Sequence, residues 1–63
     1  MIEVLKTADP VRLHFLRTYL EAAGVQAFVF EGGSPWPGAF PARLMVSEAD
    51  EDLARRLIAE AEA

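Results

Sequence analysis

Cysteine is absent from this sequence of 63 residues, which excludes disulfide bonds and thiolate metal sites. Histidine occurs once, as His14, and no serine or carboxylate is placed beside it for nucleophilic catalysis. Glu21 follows His14 by about two helical turns, a loose spacing for a shared metal ion, and no further ligand joins them. We therefore interpret His14 as a surface residue and expect no catalytic residue, no cofactor and no metal site.

Long hydrophobic runs are also absent, since no stretch approaches the roughly 20 apolar residues that cross a bilayer. The opening residues Met1–Lys6 do not match a signal peptide, because Glu3 comes too early and no cleavage site follows. We expect a cytoplasmic protein that makes no use of a membrane.

Positive charge is scarce, with 6 lysine and arginine residues against 10 acidic residues and a net charge of −4. Binding to a phosphate backbone needs a basic surface, so this composition argues against a nucleic-acid partner.

The hydrophobic fraction of 52% excludes intrinsic disorder, and the length allows a single domain over residues 1–63. A chain of this size buries only about 60% of the surface that its unfolded state exposes. Without disulfides or a metal, the remaining means of stabilisation is a second copy of the chain. We therefore expect a homodimer.

The clearest local pattern is a helix after Asp9. The Asp9 carboxylate can accept the unpaired N–H groups of a first turn, and Pro10 suits the first helical position. Gly24 suits the left-handed residue that ends a helix. The predicted buried face carries residues three or four apart, with Tyr19 at its edge: Leu13, Leu16, Leu20 and Ala23.

Strands are predicted on both sides of this helix, over Ile2–Thr7 and Val25–Glu31, and again over Ala42–Val46. A loop rich in glycine and proline, Gly32–Pro41, separates the second and third strands. Ser47 is predicted to cap a second helix, with Asp50 completing a variant of the capping box.

The order β-α-β-β-α predicts an α+β fold. A right-handed strand–helix–strand crossover makes the first two strands parallel. The third strand then fits between them, which gives a sheet ordered 2-3-1 with both helices on one face. This is a ferredoxin-like plait that lacks its last strand, and Ile2–Thr7 is predicted to present an unpaired edge.

The alternation of side chains along the strands divides the sheet into two faces. The core face is predicted to hold Ile2, Val4, Val25, Ala27, Val29, Leu44 and Val46. The open face is predicted to hold Leu5, Phe28, Phe30 and Met45, together with Glu3 and Arg43. Monomers seldom expose such an apolar patch, so a homodimer or the loop around Trp36 should bury it; otherwise it binds another protein or a small molecule.

The loop holds the only tryptophan, Trp36, between two prolines, and Phe40 follows it. Trp36 either completes a small core, folds over the apolar patch or anchors a partner, since tryptophan is common among binding hot spots. Gly32 and Gly33 are expected to form a plain connecting turn, with a backbone anion nest as the alternative.

Two segments carry a resemblance to a known family: D-P-V-R-L-H-F-L-R-T-Y-L-E-A-A-G-V-Q-A-F-V and L-M-V-S-E-A-D-E-D-L-A-R-R-L-I. They resemble a small bacterial domain of unknown function called the putative prokaryotic signal-transducing protein. The matching positions are Leu20, Glu21, Gly24, Val25, Val46 and Asp50. The resemblance implies a PII-like, ferredoxin-related fold and, by analogy with PII proteins, a part in regulation.

These observations predict a non-enzymatic interaction or regulatory module that acts as a homodimer. Its contacts are expected at Trp36, Phe40, Leu5, Phe28, Phe30 and Met45. The alternative is a small-molecule sensor that holds a metabolite between the open sheet face and the Trp36 loop.

Overall fold

The first helix, α1 (Pro10–Ala22), begins at the predicted N-cap. The computed structural model describes residues 1–31 and 41–63. In it, the Asp9 carboxylate accepts the backbone N–H of Val11 at 2.9 Å and that of Arg12 at 3.3 Å. Pro10 occupies the first turn, where its missing N–H has no intrahelical partner to lose.

The C-terminal end of α1 is a Schellman motif. Gly24 has a φ of 85°, and its N–H donates to the Glu21 carbonyl at 3.0 Å. The N–H of Val25 donates to the Leu20 carbonyl at 2.9 Å. Val25 and Leu20 are both buried, which supplies the hydrophobic contact that accompanies this motif. Gly24 therefore ends the helix as predicted.

Three strands form one sheet in the order β1-β3-β2, as predicted. These are β1 (Ile2–Thr7), β2 (Phe28–Phe30) and β3 (Ala42–Val46). The central strand β3 is antiparallel to both neighbours, so β1 and β2 run parallel to each other. The order fits a ferredoxin-like sheet.

β2 is shorter than the predicted strand Val25–Glu31. The physical reason is that the N–H of Val25 already bonds to the end of α1 and is not available to a strand ladder. Val25 and Ala27 are nevertheless buried, as predicted, and they extend the core before the strand begins.

A β-bulge in β1 changes the predicted faces. Glu3 lies opposite Met45, but the next paired residue is Leu5, opposite Leu44, so Val4 is the extra residue. Val4 packs against the core as predicted, and Leu5 packs there too. The assignment of Leu5 to the open face was therefore wrong, because strict alternation does not hold across a bulge.

The second helix also begins later than predicted. Glu48–Asp50 forms a single 3-10 turn, in which the Asp50 N–H donates to the Ser47 carbonyl at 3.0 Å. The helix α2 then spans Glu51–Ala61. The Ser47 hydroxyl donates to the Asp50 carboxylate at 3.2 Å rather than accepting a backbone N–H, so the predicted capping box is not formed.

Both helices pack on the sheet face that carries Leu44 and Val46, as predicted. A single cluster of buried side chains joins them to the sheet: Leu16, Leu20, Val25, Ala27, Leu44, Val46, Ala54 and Ile58. Ile2 and Val29, also predicted for the core, are half-buried. No polar or charged residue is fully buried in the described part of the chain.

Candidate interaction surface

The sheet face opposite the helices carries exposed aromatic side chains on its outer strand β2. Phe28 is 40% exposed and Phe30 is 44% exposed, whereas Leu44 and Val46 on the helix side are fully buried. Phe28 lies opposite Met45 in the ladder between β2 and β3, and Phe30 lies opposite Arg43. We call this surface the open face. It brings together the predicted residues Phe28, Phe30 and Met45.

The bulge at Val4 determines which side chains of β1 reach the open face. Glu3 lies opposite Met45, and Lys6 lies opposite Arg43. Without an extra residue between them, positions three apart would point to opposite faces of the sheet. The bulge therefore brings Lys6 to the open face in place of Leu5, a change that the alternation of the sequence does not reveal.

The open face consequently has two rows of cross-strand neighbours. One row holds Phe28, Met45 and Glu3, and the other holds Phe30, Arg43 and Lys6. The β2 side is aromatic and the β1 side is charged. Lys6 and Arg43 are like charges directly opposite each other, an arrangement that is unfavourable unless an anionic group approaches.

The edge of β1 is partly protected by α2. Arg55 donates from Nη2 to the backbone carbonyl of Glu3 at 3.2 Å. The same guanidinium is held by Glu51, whose Oε2 lies 2.9 Å from Nε. A bulge and a charged side chain are both devices that hinder edge-to-edge pairing of strands. The open face is therefore better suited to contact a partner than the β1 edge is.

A second apolar surface, which was not predicted from the sequence, lies on the outer side of α1. Val11 is 76% exposed and Phe15 is 49% exposed. The Phe15 and Tyr19 ring centroids are 6.0 Å apart. A shallow concavity of about 460 Å³ has these lining residues in the described part of the chain: Pro10, Val11, His14, Phe15 and Thr18. The signal in the sequence was the four-residue spacing from Val11 to Phe15 to Tyr19.

Several charged side chains on the helices form ion pairs. Arg12 and Glu62 form a two-point contact, with Nε–Oε2 and Nη2–Oε1 distances of 2.7 Å. This contact lowers the pKa of Glu62 and raises that of Arg12, chiefly through the hydrogen bonds between them. The pair joins the N-terminal end of α1 to the C-terminal end of α2, and this structural role accounts for the two charged residues.

His14 is exposed on α1, in agreement with its interpretation as a surface residue. Glu21 is paired with Arg17 at 3.0 Å rather than with His14. No cluster of three or more His, Cys, Asp or Glu side chains that could hold a metal occurs within residues 1–31 and 41–63. Trp36 and Phe40, the remaining predicted contact residues, lie outside the described residues, as do Gly32 and Gly33.

Comparison with known families gives a match over almost the whole chain. The family model described as "Putative prokaryotic signal transducing protein" matches residues 1–62. The chain belongs to this family. The matched range includes every strand and helix described above, so the resemblance seen in the sequence is confirmed. No curated protein and no solved structure shows significant similarity to the chain.

The family description associates the chain with prokaryotic signal transduction. Within the described ranges, neither helix is both long and apolar enough to cross a membrane. Within residues 1–31 and 41–63, the open face and the outer side of α1 are the two surfaces on which neighbouring apolar side chains are exposed.

Proposed function

We propose that this member of the family is a non-enzymatic signalling module of the cytoplasm that acts as a homodimer, with a second copy of the chain as the partner on the open face. The observation that carries the proposal is the exposure of Phe28 and Phe30 on a sheet face opposite the packed helices. Exposed aromatic side chains at neighbouring positions are typical of interaction surfaces.

The described side chains favour binding over catalysis. His14 is exposed, and Glu21 is engaged with Arg17. No general base is therefore held against a nucleophile by these groups. A regulatory role by analogy with PII proteins is part of the same proposal, supported by the family description and by a sheet order that fits a ferredoxin-like fold.

The size of the domain supports association. A short chain without disulfides has a small core, and burial of Phe28 and Phe30 against another copy would add apolar contact. A chain with a net charge of −4 is also poorly suited to a nucleic-acid partner, which favours a protein on the open face.

The second candidate is a sensor that holds a metabolite between the open face and the Trp36 loop. The aromatic character of Phe28 and Phe30 favours this alternative too, because apolar walls are usual in small-molecule sites. A metabolite that quenches the fluorescence of Trp36 at micromolar concentration would support it. A flat response across nucleotides, amino acids and organic acids would count against it.

The proposal is tested by the oligomeric state of a double variant, Phe28→Ser with Phe30→Ser. We expect light scattering to give a dimer for the wild type and a folded monomer for the variant. A matched control replaces Val11 and Phe15 with serine on the outer side of α1, and it should remain dimeric. Circular dichroism checks the folding of both variants.

The proposal fails if the Phe28/Phe30 variant keeps the mass of the wild type. It also fails if the wild type is monomeric throughout the concentration range. A monomer that carries additional mass in native mass spectrometry would favour the sensor.

A further inference from the structure

On the open face, the negative and the positive side chain of β1 lie at different positions along the strand. Glu3 lies in one row of cross-strand neighbours, and Lys6 lies in the other row. Both belong to β1, at the margin of the face, and both are exposed. The aromatic residues Phe28 and Phe30 occupy the same two rows at the opposite margin, on β2.

This division limits the ways in which two copies can stack their open faces. Packed sheets most often keep their strands within about 30° of alignment. A two-fold axis parallel to the strands would place β1 of one copy over β2 of the other. Glu3 and Lys6 would then lie over aromatic rings, where Glu3 loses its water without gaining an opposite charge.

The other choice is a two-fold axis that lies in the plane between the two sheets and runs perpendicular to the strands. It has the opposite effect. It places β1 over β1 and β2 over β2, and it exchanges the two rows. Glu3 of each copy then lies over the partner's Lys6, and Phe28 lies over the partner's Phe30. The face is complementary to itself in both charge and apolar character only in this second arrangement.

Resting on the proposed homodimer, we propose that two copies pack open face to open face about a two-fold axis perpendicular to the strands, with reciprocal Glu3–Lys6 contacts. The bulge at Val4 is what makes this pairing available, because it brings both charged residues of β1 to one face. The second copy also resolves the unfavourable juxtaposition of Lys6 and Arg43, since it supplies a carboxylate above them.

The central strand is compatible with the same arrangement. Met45 would lie over the partner's Arg43, whose aliphatic stem can cover an apolar side chain while its guanidinium stays in water. Charge pairs at the margin of an interface mainly determine orientation and partner choice, whereas the aromatic contact supplies the apolar burial.

The test uses charge reversal at the two positions. In Glu3→Lys both β1 side chains on the open face are positive, and in Lys6→Glu both are negative. Each variant alone should dimerise on the order of tenfold more weakly than the wild type, because both symmetry-related contacts become repulsive. The double variant Glu3→Lys/Lys6→Glu restores opposite charges and should dimerise as the wild type does.

The two single variants should also prefer each other. When one is labelled with nitrogen-15 and the two are mixed, native mass spectrometry should detect more heterodimer than random pairing gives. Added salt should reduce the excess. The matched control mixes Glu60→Lys with Arg56→Glu, two exposed positions on α2, and should give the random proportion.

The outcomes separate this inference from the proposed homodimer. If the Phe28/Phe30 variant is monomeric but the charge-reversed variants pair at random, the open face is the interface and the proposed axis is wrong. If the double charge reversal fails to restore pairing, the Glu3–Lys6 contact is also wrong. A monomeric wild type overturns both the homodimer and the axis.

Discussion

Leu5 lies directly opposite Leu44 in the ladder between β1 and β3, and it packs against the buried core. This relationship exists because Val4 is inserted as a bulge, and it moves Leu5 from the predicted open face to the helix side. The same displacement brings Lys6 to the open face. One inserted residue therefore sets both the apolar packing and the charge pattern of β1.

We predict that Leu5→Ser lowers the unfolding free energy of the monomer more than Phe28→Ser does, because Leu5 packs against the buried core whereas Phe28 is 40% exposed on the open face. Leu5 is half-buried, so its loss should cost about 1–2 kcal/mol, less than the roughly 2–5 kcal/mol of a fully buried leucine. Urea denaturation, at a protein concentration low enough to keep the chain monomeric, measures the unfolding free energy of both variants. Equal effects of the two substitutions would show that Leu5 is not on the core side.

The hydrogen bond from Arg55 to the Glu3 carbonyl predicts a local effect in β1. Arg55→Ala removes the donor, and the amide groups of β1 should then exchange with solvent faster, since the edge loses a contact with α2. Hydrogen exchange followed by NMR resolves the individual amides. Arg56→Ala, at the next exposed position, is the control, and a similar acceleration there would contradict the prediction.

The Arg12–Glu62 pair predicts a dependence of stability on acid. Its hydrogen bonds lower the pKa of Glu62 in the folded state. The stabilisation is therefore complete at a pH above the ordinary pKa of a glutamate carboxyl, and it is lost as the pH falls through the lower pKa of the folded state. Glu62→Gln should be less stable than the wild type at neutral pH, and the two should converge in acid.

Thermal denaturation at a series of pH values from neutral to acid measures whether the stabilities of the wild type and Glu62→Gln converge. The effect should be small, because the Arg12 and Glu62 side chains are 40% and 32% exposed. Glu21→Gln, which breaks the pair with Arg17 inside α1, provides a comparison from a contact within one helix. A constant difference between wild type and Glu62→Gln at every pH would exclude the ion pair as its source.

Gly24 predicts a purely conformational cost of substitution. Its φ is 85°, and a Cβ built there has no atom within 4 Å, so Gly24→Ala introduces strain without a collision. We expect a loss of about 1 kcal/mol in unfolding free energy, since the left-handed conformation is unfavourable for alanine. Gly24→Asn should lose less, because asparagine tolerates this conformation. Chemical denaturation of the three proteins decides the order.

Several elements could be predicted from the sequence because they depend on groups close together in the chain. Asp9 accepts N–H groups from residues two and three positions ahead. Gly24 adopts its backbone conformation beside the helix that it ends. The strand Ala42–Val46 has the predicted bounds. The order of strands and helices along the chain was sufficient to predict the strand order of the sheet.

Two of the predictions that failed depend on competition between hydrogen-bond partners. The N–H of Val25 bonds to α1 instead of joining a strand, and the Ser47 hydroxyl donates to the Asp50 carboxylate instead of accepting a backbone N–H. The preferences of these residue types are as expected: valine favours strands and serine favours helix starts. These preferences do not decide which of two available hydrogen bonds forms.

The sequence by itself determined where α1 begins and ends, which segments form strands and in what order the strands assemble. Caps, turns and crossovers are local, and their physical causes lie within a few residues. Only the tertiary structure decided that Val4 is a bulge, that Leu5 and Lys6 exchange faces, and that Arg12 meets Glu62. These outcomes depend on contacts between distant parts of the chain, where several registers satisfy the local rules and packing selects one.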